Sequence, residues 1–203
     1  MMRSRFLVSL VSLTAVALVA GPPRLVAGQT GQAPGPSAGP APTPPQPPSD
    51  ADLRARFSGV FNYAGGQDER AALDAAIDRA AQEFNFLFRP IVRSKLHDTN
   101  SIAHVVTFQW APGSMRVTFT DPARDYRAPD DGTPVHDPKS KDASTRISHR
   151  FERGNFIEQF TADEGAQRNV FTLTSDAQKL TMNVLVTSPK LKNPIQYNLT
   201  YHR

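Results

Sequence analysis

The sequence predicts a mainly β domain with one helical pair: an antiparallel up-and-down β-barrel of about nine or ten strands, with a helix-turn-helix between strands one and two. Three observations carry this. Apolar residues recur at helical spacing only between residues 68 and 96, they alternate with polar ones from Ile102 to Tyr201, and turn signals punctuate the alternation. A meander of that many strands has exposed edges unless it closes, which favours a barrel over an open sandwich.

The chain begins outside this domain. Met1 to Arg5 carries two arginines, and the apolar run Phe6 to Ala20 is stopped by Gly21-Pro22-Pro23. The run is 15 residues long, shorter than the roughly 18 to 20 that a spanning helix needs. Small residues at Val26-Ala27-Gly28 offer a cleavage point, so residues 1–28 read as a signal peptide and the protein as exported, periplasmic or secreted. The alternative is a retained membrane anchor. Residues 29–50 form a linker rich in proline with almost nothing to bury, which favours polyproline-type extension and disorder. At about 3.1 Å per residue it reaches roughly 70 Å. It is either a spacer from an envelope surface or a plain disordered tail.

The domain, residues 51–203, opens on a strand in which Phe57, Gly59 and Phe61 alternate with Ser58, Val60 and Asn62, ended by Gly65-Gly66. Asp68 is the expected N-cap of a helix whose Leu73, Ile77, Ala80, Phe84, Leu87 and Ile91 share one face. Pro90 lacks an amide hydrogen and would clash with the Phe86 carbonyl. The stretch therefore splits into Asp68 to about Phe86 and Pro90 to about Leu96.

Alternation then takes over, through Ile102–Trp110, Met115–Phe119, Ile147–Phe151, Phe156–Phe160, Asn169–Leu173, Leu180–Val186 and Ile195–Tyr201, with shorter candidates at Tyr126 and Val135. Turns are marked by Pro112-Gly113, Asp121-Pro122, Asp130-Asp131-Gly132, Arg153-Gly154-Asn155, Glu164-Gly165, Ser175-Asp176 and Lys192-Asn193-Pro194.

The strand Phe57-Ser58-Gly59-Val60-Phe61, the pair of short helices and the run of antiparallel strands resemble the calycins, most closely the fatty-acid-binding-protein branch, near the lipocalins. The resemblance implies a barrel lidded by the helical pair, with Phe61 where the family has tryptophan at the barrel base. The family reads a carboxylate through an Arg-x-Tyr on its last strand; Leu199-Thr200-Tyr201 keeps the tyrosine and lacks the arginine.

Charge and composition narrow the chemistry. Lys and Arg number 23 against 19 Asp and Glu, and removing Arg3, Arg5 and Arg24 with the leader leaves 20 against 19. A pI near 9.6 is therefore no argument for nucleic acid, and no nucleic-acid partner is expected. Ten of 18 prolines precede residue 50. The absence of cysteine excludes disulfides, thiolate metal sites, a cysteine nucleophile and a lipoprotein anchor.

His97, His104, His136, His149 and His202 show no metal-ligand spacing, and Gly132 in the acidic loop is not set in a calcium-binding pattern, so no metal is expected. No nucleophile elbow or phosphate loop occurs, and neither a cofactor nor a catalytic residue is assigned. Asn198-Leu199-Thr200 matches a glycosylation sequon but lies in an expected strand.

His149 alternates in step with Ile147 and Phe151, which turns it inward, and a buried imidazole needs a partner. Glu158, in step with Phe156 and Phe160 on the next strand, is the candidate. The pair orients a polar ligand head, acts as a base, or is a satisfied core contact. Phe108, Trp110, Phe119, Phe156, Phe160, Tyr197 and Tyr201 supply apolar wall. Arg89, Arg93 and Lys95 form a basic cluster on the second helix, either at the portal or as a solvated face.

The expectation is an exported monomer that binds a small apolar or amphipathic, lipid-like molecule in the barrel, with possible contact to an envelope surface. The alternative is a structural or protein-interaction domain of the cell envelope with a solid core. An enzyme ranks third, since it needs His149 and Glu158 on an open cavity.

Overall fold

The computed structural model describes residues 48–203; the expected signal peptide and nearly all of the expected linker lie outside them. The described chain starts with a helix where a strand was expected. Ser49 caps α1 (Asp50–Phe57): its hydroxyl accepts the Asp52 amide at 3.2 Å, while the Asp52 carboxylate accepts the Ser49 amide at 3.2 Å. Only Leu53 and Phe57, one turn apart, are buried. Phe57 therefore ends a helix and does not open a strand. The alternation misled because its next members, Gly59 and Phe61, belong to β1 (Gly59–Tyr63).

The helical pair follows as α2 (Gln67–Gln82) and α3 (Arg89–Thr99). Gly66, not Asp68, is the N-cap of α2, and Asp68 lies in the first turn, where a negative charge meets the helix dipole. Pro90 sits in the first turn of α3, where its missing donor costs nothing. It thus starts the second helix, and the first stops at Gln82, short of the expected Phe86.

The strands are β2 (Val105–Ala111), β3 (Ser114–Thr120), β4 (Arg124–Ala128), β5 (Val135–His136), β6 (Arg146–Glu152), β7 (Asn155–Ala162), β8 (Gly165–Leu173), β9 (Lys179–Thr187) and β10 (Ile195–His202). They form one antiparallel ten-stranded sheet in the order β4-β3-β2-β1-β10-β9-β8-β7-β6-β5. β1 joins the chain's two ends, pairing Phe61 with Val106 of β2 and Tyr63 with Tyr201 of β10. The seam between β4 and β5 carries no ladder, but an isolated bridge from Asp131 to Arg150 narrows it. This is the nearly closed up-and-down barrel, with helices between β1 and β2, that the alternation predicts.

Two fillings divide the interior. At the end plugged by α1, Phe57, Phe61, Phe108, Phe156 and Phe171 pack edge-on and tilted, with ring centroids 5.1 Å apart for Phe108 and Phe171 and 5.5 Å for Phe108 and Phe156. Gly59 is required here: its φ is +143°, and a Cβ would stand 3.3 Å from the Arg203 guanidinium, which lies over Phe61 and donates to the Arg56 and Ser58 carbonyls. The other end is covered by α2 and α3. α2 buries Leu73, Ala76, Ile77, Ala80 and Ala81, whereas α3 buries no side chain. No helix among the described residues is long and apolar enough to cross a membrane.

Candidate functional site

A polar chain crosses the packed interior. The register of β6 against β7 sets His149 opposite Glu158, and that of β7 against β8 sets Glu158 opposite Asn169. His149 and Glu158 are fully buried. His149 Nδ1 lies 3.1 Å from the Met115 carbonyl, which only accepts, so Nδ1 carries hydrogen. On the other side Nε2 is 3.3 Å from Glu158 Oε1, while Oε2 accepts from Asn169 Nδ2 at 2.9 Å and Asn169 Oδ1 accepts from Gln167 Nε2 at 2.9 Å. One proton must therefore stand between Nε2 and Oε1, on the imidazole or on the carboxyl. The expected pairing is present, and no solvent reaches it.

Gln167 and Asn169 bring this chain to the wall of an interior cavity. The cavity measures about 20 Å³, room for about one water molecule. Its apolar lining includes Phe119, Phe160, Met182 and Leu199; its polar lining includes Ser101, Arg124, Tyr126, Tyr197 and Tyr201. Three atoms of these residues are buried without a hydrogen-bond partner: Ser101 Oγ, Arg124 Nε and Tyr201 OH. Buried polar atoms normally have partners, so three orphans on one cavity mark a place where a polar group is received.

Arg124 is held in position. Its Nη2 donates to the Ser101 carbonyl at 2.9 Å and its guanidinium lies 5.2 Å from the centre of the Phe119 ring. Burial pushes the phenols of Tyr126, Tyr197 and Tyr201 above the ordinary tyrosine range, so they remain neutral donors. Fixed donors around a small void are suited to receiving a carboxylate or another oxygen-bearing head group.

The expected site residues separate into groups. Phe119, Phe160, Tyr197 and Tyr201 line the cavity. Phe108 and Phe156 belong to the solid aromatic cluster at the α1 end, and His149 and Glu158 reach the cavity only through Asn169. Trp110 is outside the wall: it lies beyond the α1 plug, 43% exposed, with the Arg54 guanidinium over its ring. It keeps the parity of Phe108, but the strand runs past the end of the interior.

Arg89, Arg93 and Lys95 are not one free basic cluster. Arg89 caps the end of α2 through the Phe84 and Gln82 carbonyls, Arg93 pairs with Asp78 at 2.6 Å, and Arg89 and Arg93 line an open groove between α2 and α3. Among the described residues no group of three His, Asp or Glu side chains converges on a metal-sized position.

Ser101, Arg124, Tyr126, Gln167 and Asn169 were not singled out by sequence. Tyr126 was placed on a short strand, and extending its alternation by two residues puts Arg124 on the inner face; that was the available signal. Ser101 lies in the connection after α3, where no periodicity applies.

No protein-family model matches the chain, and no curated protein is similar to it in sequence. Solved structures are similar in the course of the backbone. Fatty-acid-binding protein 1 of Echinococcus granulosus is 13% identical over 73% of this chain and 98% of its own, with a TM-score of 0.45. Lipid binding protein 8 of Caenorhabditis elegans is 12% identical over 73% and 96%, with a TM-score of 0.46. A secretory abundant heat soluble protein of Ramazzottius varieornatus is 9% identical over 73% and 95%, with a TM-score of 0.47.

Proposed function

We propose that the barrel binds a small amphipathic molecule whose oxygen-bearing, anionic head is received by Arg124, Ser101 and Tyr201. The observation that carries this reading is the set of three orphan polar atoms on one interior cavity. The apolar part of such a ligand lies against Phe119, Phe160, Met182 and Leu199. At about 20 Å³ the cavity has room for about one water molecule, so binding of such a ligand requires lining side chains such as Met182 to move apart. With the apolar run at Phe6–Ala20, the reading is of an exported carrier.

The test is displacement of a fluorescent fatty carboxylate, with native mass spectrometry of protein taken from its source. Arg124→Met is expected to weaken the carboxylate probe about tenfold or more and to leave its uncharged alcohol counterpart within about twofold. Failure of both probes to bind overturns the proposal. The small volume favours a second reading, a solid-cored envelope domain, which predicts that failure together with a ligand-free mass.

A further inference from the structure

We infer that the interior cavity binds a chloride-sized inorganic anion, held by Arg124, Ser101 and Tyr201. The cavity is the one proposed above to receive a ligand head, but the anion needs no lipid, so the two readings fail separately. Charge sets the demand. Arg124 is the one charged side chain on the cavity wall. A guanidinium withdrawn from water ordinarily meets a carboxylate. Among the described residues no acid comes within ion-pair distance of Arg124, whose contacts are the Ser101 carbonyl, 2.9 Å from Nη2, and the face of Phe119. Glu158 and Asp137 are near enough to act on the Tyr126 phenol, yet both are engaged elsewhere. Glu158 shares a proton with His149 and accepts from Asn169, and Asp137 accepts the Lys139 amide at 2.9 Å.

Donor chemistry and size name the occupant. All three orphan atoms on the cavity can give hydrogen: Arg124 Nε only donates, and the Ser101 and Tyr201 hydroxyls turn to do so. Burial raises the Tyr201 phenol above the ordinary tyrosine range, so its hydrogen stays in place. The Tyr197 hydroxyl is already given to Asn100 Oδ1 at 3.3 Å. A water molecule brings two lone pairs to three donors and no charge to offset the guanidinium. A spherical anion accepts from all three and supplies that charge. The volume of about 20 Å³ matches one monatomic halide, close to water in size, and shuts out sulfate and phosphate. Phe119, Phe160, Met182 and Leu199 complete the wall, and in such an apolar surround the attraction between ion and guanidinium is stronger than in water.

The experiment follows thermal unfolding of the full chain in sodium chloride, sodium bromide and sodium gluconate at matched ionic strength, gluconate being too large for the cavity. Chloride and bromide are expected to raise Tm above its value in gluconate, and to do so saturably, because an ion bound by the folded state alone stabilises it. Tyr201→Phe keeps the ring and removes one donor, and is expected to weaken chloride about tenfold. Arg124→Met is expected to abolish the difference between chloride and gluconate. No such difference in the parent, or the full difference persisting in Arg124→Met, overturns the assignment. If Arg124→Met does not fold, Tyr201→Phe decides, and an unchanged chloride midpoint overturns it. The fatty-carboxylate probe separates this site from the carrier: halide stabilisation without probe binding keeps the anion site and removes the carrier, and probe binding without halide stabilisation does the reverse. With both present, chloride is expected to compete with the probe.

Discussion

His149 and Glu158 face each other across β6 and β7, 3.3 Å apart and without solvent, with one proton to share. The remaining bonds of each are taken by Met115 and Asn169, so neither can turn to another partner. Glutamine at position 158 reproduces the neutral arrangement: its amide donates to Nε2 while its oxygen accepts from Asn169. Glu158→Gln is expected to change stability by less than about 1 kcal/mol, whereas His149→Ala, which strands a buried carboxyl, costs about 3–5 kcal/mol. Urea unfolding of both variants checks this, and a glutamine as costly as the alanine contradicts the proton assignment.

Gly59→Ala is expected to destabilise the fold by about 1–3 kcal/mol, because φ of +143° is strained for any residue with a Cβ. Adding Arg203→Ala removes the 3.3 Å contact but not the backbone strain. The double variant should therefore recover little of the loss in thermal unfolding; full recovery would place the cost in the contact.

Asp125 governs acid behaviour on the β3–β4 face. Arg116 grips both its oxygens, at 2.9 and 3.0 Å, and Lys139 adds a bond at 3.0 Å, bringing its pKa down to about 2. A depressed carboxylate stabilises the fold above its unfolded pKa of 3.8, and the contribution fades as pH falls from there through about 2. A third of the side chain is exposed, so the effect at neutral pH is about 1 kcal/mol or less. Asp125→Asn is expected to lower stability at pH 7 by that amount and to match the parent at pH 2.

Alkali acts with the opposite sign. Burial raises the phenols of Tyr126, Tyr197 and Tyr201 above the ordinary 10, so the folded state holds protons that the unfolded chain releases. Their contribution is intact below pH 10 and is lost as pH rises beyond it. Tyrosinate absorbance should rise together with loss of dichroism; titration of all four tyrosines within a folded barrel near pH 10 would contradict the burial.

The interior chain and the cavity were unequally legible in the sequence. Alternation put His149 and Glu158 on inner faces and adjacent strands, and the register then paired them as expected. It erred at Trp110, because period-two parity states which face a side chain takes and not whether the barrel still has an interior at that height. It erred at Phe57 because one buried turn of a short helix leaves only two apolar marks.

What the sequence determined by itself is local and repetitive: strand alternation, the split at Pro90 and the turn residues prescribe an antiparallel meander with a helical pair after its first strand, since side-chain period and backbone freedom are properties of neighbours in the chain. The tertiary structure alone decided which inward residues pack solid and which surround a void. Arg124, Ser101 and Tyr201 come from a strand, a connection and the last strand, and only closure of the sheet on β1 sets their unpartnered atoms around one cavity.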